Sequence, residues 1–242
     1  MILLHETYLV REGGLDDFEG AYWEGVVPSL REMEGVRPLW LLRQRTGIEG
    51  EVVLALTAIR SGAELGNYID WTAGQGGTVW RLLARRLTRD YHRKALMSAP
   101  WSPLHEWSEL DGLAEALAPR TDVADGTPRI FMEDTGWPYT DVSDYVEFQR
   151  REYWEPLQKW ATSGALLKLW GFFLVLHGTG RRPEAVFLQE VLDNRALENL
   201  IGEPEVYDPD TFPGSYMVQG LTYRDQWRSR LLVASNGPAP SP

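Results

Sequence analysis

Proton transfer near neutral pH is the chemistry that this chain's residues could most directly perform. His5, His92, His105 and His177 are its four histidines, and an unperturbed imidazole changes charge close to pH 7. His5 lies in the apolar opening stretch Ile2–Val10, and His92 opens the last apolar stretch of the N-terminal half. These two rank first, because their strands are expected side by side at the centre of one sheet. His177 ends a long apolar run beside a Gly-rich turn and reads as exposed, while His105 lies between the two halves. Glu6, next to His5, is a base with a raised pKa if buried, or a structural acid paired with arginine. Glu133 is read as its counterpart in the second half. Lys168, Gln189 and Glu190 interrupt apolar strands, so they face either a wet cavity or a sheet edge.

What is missing narrows the chemistry. With no cysteine there is no disulfide framework, thiolate nucleophile or Cys-ligated metal. His5-Glu6 and His105-Glu106 do not continue as H-E-x-x-H, and no metal site is expected. Gly74-Gln75-Gly76-Gly77 lacks the strand–turn–helix context of a dinucleotide site and reads as a helix break, and neither a phosphate-binding loop nor a G-x-S-x-G elbow occurs. A net charge of −11 disfavours nucleic acid as a partner. No stretch reaches the roughly 18–20 apolar residues of a membrane span, and no signal-peptide core opens the chain, so a soluble cytoplasmic protein is expected.

The elements that must position these residues follow from an internal repeat. Tyr22-Trp23-Glu24 recurs as Tyr153-Trp154-Glu155, Leu39-Trp40 as Leu169-Trp170, and Arg89-Asp90 as Arg224-Asp225, all in the same order at nearly constant offset. Each half reads β-α-β-β-α-β. In the first half these are Ile2–Val10, a helix over Leu15–Glu34 kinked at Pro28, strands Arg37–Arg45 and Val52–Ile59, a helix over Thr78–Arg89, and strand His92–Ala99. In the second they are Arg129–Glu133, a helix over Asp141–Thr162, strands Leu166–His177 and Glu184–Leu192, helical pieces after Asn194, and strand Trp227–Ala234.

This order is the split βαβ unit of ferredoxin-like folds. Leu166–Leu176 is apolar on both faces, so both faces must be covered. The fold class is therefore α+β: two ferredoxin-like repeats, residues 1–99 and 129–234, packed sheet to sheet as a pseudo-dimeric barrel within one chain. Residues 100–128 form the crossover, with a short helix over Ser108–Leu117, and residues 235–242 form a tail.

The arrangement resembles the dimeric α/β-barrel superfamily in tandem, nearest to NIPSNAP-like proteins. His5-Glu6-Thr7-Tyr8, Trp23, Pro28 and Gly35 carry the resemblance in the first half. The second keeps Glu133, Trp154 and Gly164 but moves its proline to Pro156, which implies a different helix kink. The resemblance implies a ligand cavity between a sheet and its helices or within the barrel. It also implies an enzyme that oxygenates or cyclises an aromatic or polyketide-like substrate in biosynthesis. No tightly bound organic cofactor is expected, though haem and flavin stay open. His5 or His92 is the expected proton-transfer group. Trp71, Trp80 and Trp101, which do not recur between the halves, together with Tyr22 and Trp40, are expected to wall in a small hydrophobic aromatic ligand. Recurrence of Trp40 as Trp170 also fits simple core packing. The competing reading is a ligand- or haem-binding protein without turnover. Exposed helix faces leave a homodimer open.

Overall fold

Strand β1 (Ile2–Val10) sends Leu3, His5 and Thr7 to one face and Leu4, Glu6 and Tyr8 to the other. Both faces are buried, because β1 belongs to a closed barrel with helices outside. The chain is described by a computed structural model over residues 1–44, 50–74, 77–111, 129–161, 166–178, 183–193, 195–202, 210 and 215–235. Most of the link between the expected strands Arg37–Arg45 and Val52–Ile59, the Gln75–Gly76 pair of the helix break and nearly all of the tail lie outside these residues, as does most of the expected crossover helix. What is described of the crossover is a 3-10 turn at Trp107–Leu110.

After β1 come helix α1 (15–32), strands β2 (Val36–Gln44) and β3 (Glu51–Ile59), helices α2 (Gly62–Ala73) and α3 (Thr78–Leu87), and β4 (Thr88–Ser98). The second half runs β5 (Ile130–Pro138), helix α4 (142–161), β6 (Leu167–His177), β7 (Ala185–Val191), short helices α5 (Arg195–Gly202) and α6 (Tyr216–Gly220), and β8 (Arg224–Ala234). The strands close in the order β1-β3-β2-β8-β5-β7-β6-β4, all antiparallel. Closure removes every sheet edge, so none of the polar strand residues can be an edge residue.

α1 and α4 share an unusual build. α1 joins Leu15–Ala21 to Val27–Glu32 through a π-helical turn, Tyr22–Val26. α4 joins Val142–Gln149 to Glu155–Ala161 through Arg150–Trp154. The buried positions Phe18, Tyr22, Val26 and Leu30 recur every four residues. On a regular helix that spacing drifts by about 40° per step, and the wider π turn takes the drift out. Pro28 and Pro156 each stand second after the π turn. The two kinks are therefore alike, contrary to the expectation of a displaced second kink. The Tyr-Trp-Glu recurrence is the part that is out of step: Tyr22 opens its π turn, whereas Tyr153 is the fourth residue of the other.

Three apolar clusters divide the interior. One draws residues from all eight strands, including Leu3, Trp40, Leu56, Leu96, Phe131, Trp170, Leu188 and Leu232, and so fills the barrel lumen. Leu104 and Leu110 of the crossover belong to it and plug one end. The second lies between the first half's strands and its helices, around Tyr8, Phe18, Tyr22 and Trp80. The third is the matching layer of the second half, around Tyr145, Phe148, Phe172 and Phe187.

The lumen is spanned from side to side. β2 and β6 face each other across the ring, and Trp40 meets Trp170 edge-on with ring centroids 5.3 Å apart. Both tryptophans reach the lumen beside bulges, Leu39 being the extra residue in β2 and Trp170 in β6. The two rings are thus one register step from true equivalence. Trp40→Ala is expected to cost about 3–5 kcal/mol, read as a lower denaturation midpoint, because nothing adjacent can collapse into a lumen closed on all sides.

Candidate active site

β1 and β5 are also opposite in the ring, and His5 and Glu133 meet across it, Nε2 to Oε2, at 3.1 Å. Both side chains are almost fully buried. Arg228 and Arg230 of β8 approach the same carboxylate at 3.8 and 4.0 Å. Burial works against ionising Glu133, yet His5, Arg230 and Arg228 together hold its carboxyl below the ordinary range. This group ties the two halves together through the lumen. His92 shares the lumen-facing side of β4 with Lys94, but its side chain is two-thirds exposed and pairs with Asp90 at 3.0 Å. Strand pairing sets His92 opposite Thr7 and Lys94 opposite His5, so the strands are neighbours as expected while the two imidazoles have separate partners.

Glu133 is not the counterpart of Glu6. Glu6 faces the helices from β1, and the residue of β5 that does so is Asp134, whereas Glu133 shares the lumen with His5. Side chains alternate along a strand, so a one-residue offset exchanges the faces completely. The corrected pair, Glu6 and Asp134, shows how far the two sheet–helix layers have diverged.

In the first layer the acid is neutralised. Arg93, opposite Glu6 in the β1–β4 register, reaches Glu6 Oε1 at 2.8 Å. Tyr91 and Tyr68 donate to the same carboxylate, and Arg93 lies over both rings. Tyr8, Phe18, Tyr22 and Trp80 pack ring against ring around it. Tyr22 and Trp80, two expected ligand contacts, are therefore buried core. Trp71 leans on Tyr68 at the edge of this layer.

In the second layer the position of Arg93 is taken by Ser229, opposite Asp134 in the β5–β8 register. Among the described residues no cation pairs with Asp134. Its Oδ2 accepts from Gln189 Nε2 at 2.7 Å, Gln189 Oε1 accepts from the Tyr153 hydroxyl, and its buried Oδ1 has no partner. Burial pushes the carboxyl up to about 7; Ser229, Trp227 and Gln189 offset this only in part, and the charge on Glu133 adds to it. The place held by Tyr8 in the first layer is Gly136 in the second, two residues past the acid in each strand. Tyr145 Oη and Arg224 Cδ lie 2.7 and 3.4 Å from where a Cβ on Gly136 would stand. Arg224 is buried, and so is Gln149, whose Oε1 accepts from Tyr216 at 2.5 Å. Phe148 stacks with Tyr216 and Tyr223, and Trp101 stacks on Phe172 with Trp154 beyond it. Burial raises the Tyr145 hydroxyl to about 12; desolvation likewise drives Tyr153 and Tyr216 upward. These hydroxyls stay protonated, and those of Tyr153 and Tyr216 donate to Gln189 and Gln149.

The second layer thus brings together an unneutralised acid, an arginine, two amides and a set of aromatic rings. Of the expected residues only Trp101 and Gln189 belong to it. Lys168 lies at the far end of β6, over the Trp170 ring, and Glu190 pairs with Arg129. Asp134, Gln149, Tyr145, Tyr216 and Arg224 were not singled out by sequence, apart from Arg224 as a marker of the repeat. Alternation along Met132-Glu133-Asp134 is the signal that reveals Asp134, since one of two adjacent acids in a strand buried on both faces must point at the helices.

A haem held by histidine does not fit either layer. His5 points into the lumen, His92 is exposed, His105 belongs to the crossover and His177 is at the exposed end of β6. Among the described residues no group of three or more His, Asp or Glu side chains could hold a metal ion, and no helix is long and apolar enough to cross a membrane.

No protein-family model matches the chain, and no curated protein matches it in sequence. Solved structures do match in shape. One, from Lactobacillus acidophilus NCFM and provisionally named a monooxygenase, superposes with a TM-score of 0.57 at 10% identity, over 98% of this chain and 96% of that one. An anthrone oxidase-like protein gives 0.57 at 10% identity over 97% and 91%. Chlorite dismutase from Candidatus Nitrospira defluvii, solved with imidazole, gives 0.52 at 10% identity over 97% and 90%. At such identity the likeness is one of fold, and the fold is the ferredoxin-like dimeric α/β barrel, closed by a single chain.

Proposed function

We propose that the protein is a soluble, cytoplasmic small-molecule enzyme that oxygenates or cyclises a flat aromatic, polyketide-like substrate in biosynthesis, without a tightly bound organic cofactor. One observation carries this reading: of two matching layers, one neutralises its buried acid and the other leaves it, among the described residues, without a counter-charge inside an aromatic shell. Burying such a group has a cost in stability, and perturbed acids of this kind cluster at functional sites. The names of the similarly folded monooxygenase-like and anthrone oxidase-like proteins agree with the reaction class.

Asp134, rather than His5 or His92, is the proton acceptor in this reading. An acid titrating near neutrality is matched to removing a proton from an activated carbon. The carbanion formed at a methylene flanked by aromatic rings passes its electrons to dioxygen. A C–O bond forms, the O–O bond breaks, and the methylene becomes a carbonyl with release of one water. In the cyclising variant the same carbanion attacks a carbonyl of the substrate. His5 and Glu133 hold the two halves in register behind this layer.

The test is oxidation of 1,8-dihydroxyanthrone by purified protein with no cofactor added, followed by quinone absorbance and an oxygen electrode. The expected result is quinone formation above the buffer rate with one dioxygen consumed per quinone. Absence of any acceleration, or a Soret band whose ligand is lost on replacing a histidine, defeats the reading.

A further inference from the structure

Arg224 is a buried cation without a counter-charge among the described residues. Its side chain is buried, yet among the described residues no carboxylate lies within ion-pairing distance of it. Its Nη2 faces the Met217 sulfur at 4.0 Å, a weak acceptor, the neutral Tyr145 hydroxyl lies beside the group, and its Nη1 is buried without a partner. Tyr216 and Trp227 lie about the guanidinium at 5.8 and 5.7 Å. Room for the group is made by two glycines. A Cβ on Gly136 would press on its Cδ, and one on Gly220 would collide with Nη1. A guanidinium does not shed its proton in a protein, so the charge is carried into the interior unpaired, which is costly unless something supplies the anion.

A second orphan points the same way. Gln149 is fully buried; its Oε1 is engaged by Tyr216, while its Nε2 has no acceptor. Arg224 and Gln149 both act on the Tyr145 hydroxyl, which places them around one spot. Arg224 Nη1 and Gln149 Nε2 are both donors, so the missing ligand atom is an acceptor. The rings of Tyr145, Phe148, Tyr216 and Tyr223 surround that spot. Arg43, Arg93, Arg129, Arg228 and Arg230, the arginines paired in or near the lumen and first layer, all have a carboxylate within 4.0 Å. Among the described residues Arg224 is the buried arginine that does not.

We infer that the second layer takes an aromatic ligand bearing an ionised acidic oxygen, and that Arg224 and Gln149 bind that oxygen. Arginine and amide together would offer the fork of donors that a carboxylate or an ionised enol accepts. This rests on the functional reading above in locating the substrate, and it narrows the substrate to an acid. It also separates two tasks: Arg224 and Gln149 hold the ligand, and Asp134 receives its proton.

Binding can be measured without turnover, using 2-naphthoate and its uncharged near-isostere 2-naphthamide, with quenching of tryptophan fluorescence and calorimetry as readouts. Wild-type protein is expected to prefer the acid by about 30-fold, the scale of one charge-assisted hydrogen-bonding site. Arg224→Met is expected to abolish the preference without lowering the denaturation midpoint, since it removes an unpaired buried charge. Gln149→Leu is expected to reduce the preference several-fold while leaving 2-naphthamide binding in place. Should the acid and the amide bind equally, the anion site is refuted while an aromatic site stands. Should neither bind, or should Arg224→Met unfold the protein while Arg224→Lys restores the fold without any preference for the acid, Arg224 is structural and the inference fails. Asp134→Asn discriminates the parent reading: it should keep the 30-fold preference and lose oxidation of the anthrone probe, so each claim can fail alone.

Discussion

Asp134→Asn is expected to slow oxidation of an anthrone-type probe about 100-fold, the usual contribution of a positioned proton acceptor, and at the same time to stabilise the protein at pH 8. The second effect follows from linkage. The carboxyl ionises near 3.8 when exposed and near 7 in the fold. Between those values the unfolded chain holds fewer protons than the native one, so native stability falls as pH rises from about 4 to 7 and is flat above. The full loss corresponds to roughly 4 kcal/mol as an upper figure. Asparagine keeps an oxygen for the Gln189 hydrogen bond and does not titrate, so the variant should lack this slope. Urea unfolding at pH 4, 6 and 8 measures it. A wild-type protein equally stable across that range, once other groups are matched by the variant, contradicts an uncompensated acid. The rate itself should rise through pH 7 as the acceptor ionises.

The matching acid of the first half gives the opposite result. Arg93→Met leaves Glu6 buried with only tyrosine hydroxyls for company, and is expected to cost about 3–5 kcal/mol, the usual penalty for breaking one side of a buried pair. Glu6→Gln combined with Arg93→Met should recover most of that loss, because the stranded charge is gone. Denaturation of both variants and the pair forms a double-mutant cycle, and an Arg93→Met protein as stable as wild type would show that Glu6 does not depend on its arginine. Oxidation of the probe should be unaffected in whatever fraction of Arg93→Met remains folded.

The architecture was readable because the halves share a period and an order of elements. Alternation in Ile2–Val10 and the doubly apolar run Leu166–Leu176 demanded a closed structure covered outside, and the barrel is that structure. Boundaries moved where local pattern is weak: Thr88 and Arg89, expected to end a helix, begin β4, and β8 starts at Arg224 rather than Trp227. The site was less readable. Aligning Glu6 with Glu133 was natural by residue type, but strand geometry carries no tolerance for a single-residue error, and the bulges in β2 and β6 shift the register again. Tyr22, Trp40 and Trp80 were attractive as a ligand wall because they are aromatic, yet aromatic side chains fill cores as readily as clefts. Asp134 and Arg224 matter because no opposite charge faces either of them among the described residues, and a missing counter-charge has no signature in a linear sequence.

The closure of the ring has a consequence for how the chain is made. β2 meets β8 over a short seam, from Leu42 opposite Ala234 to Gln44 opposite Leu232, and Ser235 donates its backbone N–H to Leu41. The first half's sheet can pair as soon as β4 leaves the ribosome, but its inner surface of Leu3, Leu54, Leu56 and Trp40 has no cover until the last strand arrives. At ordinary synthesis rates that interval is roughly 7–27 s. A nascent half-barrel with an apolar concave face and two unpaired borders is a sticky intermediate. Recovery of soluble protein should therefore depend on elongation speed and chaperone supply more than on the stability of the finished ring.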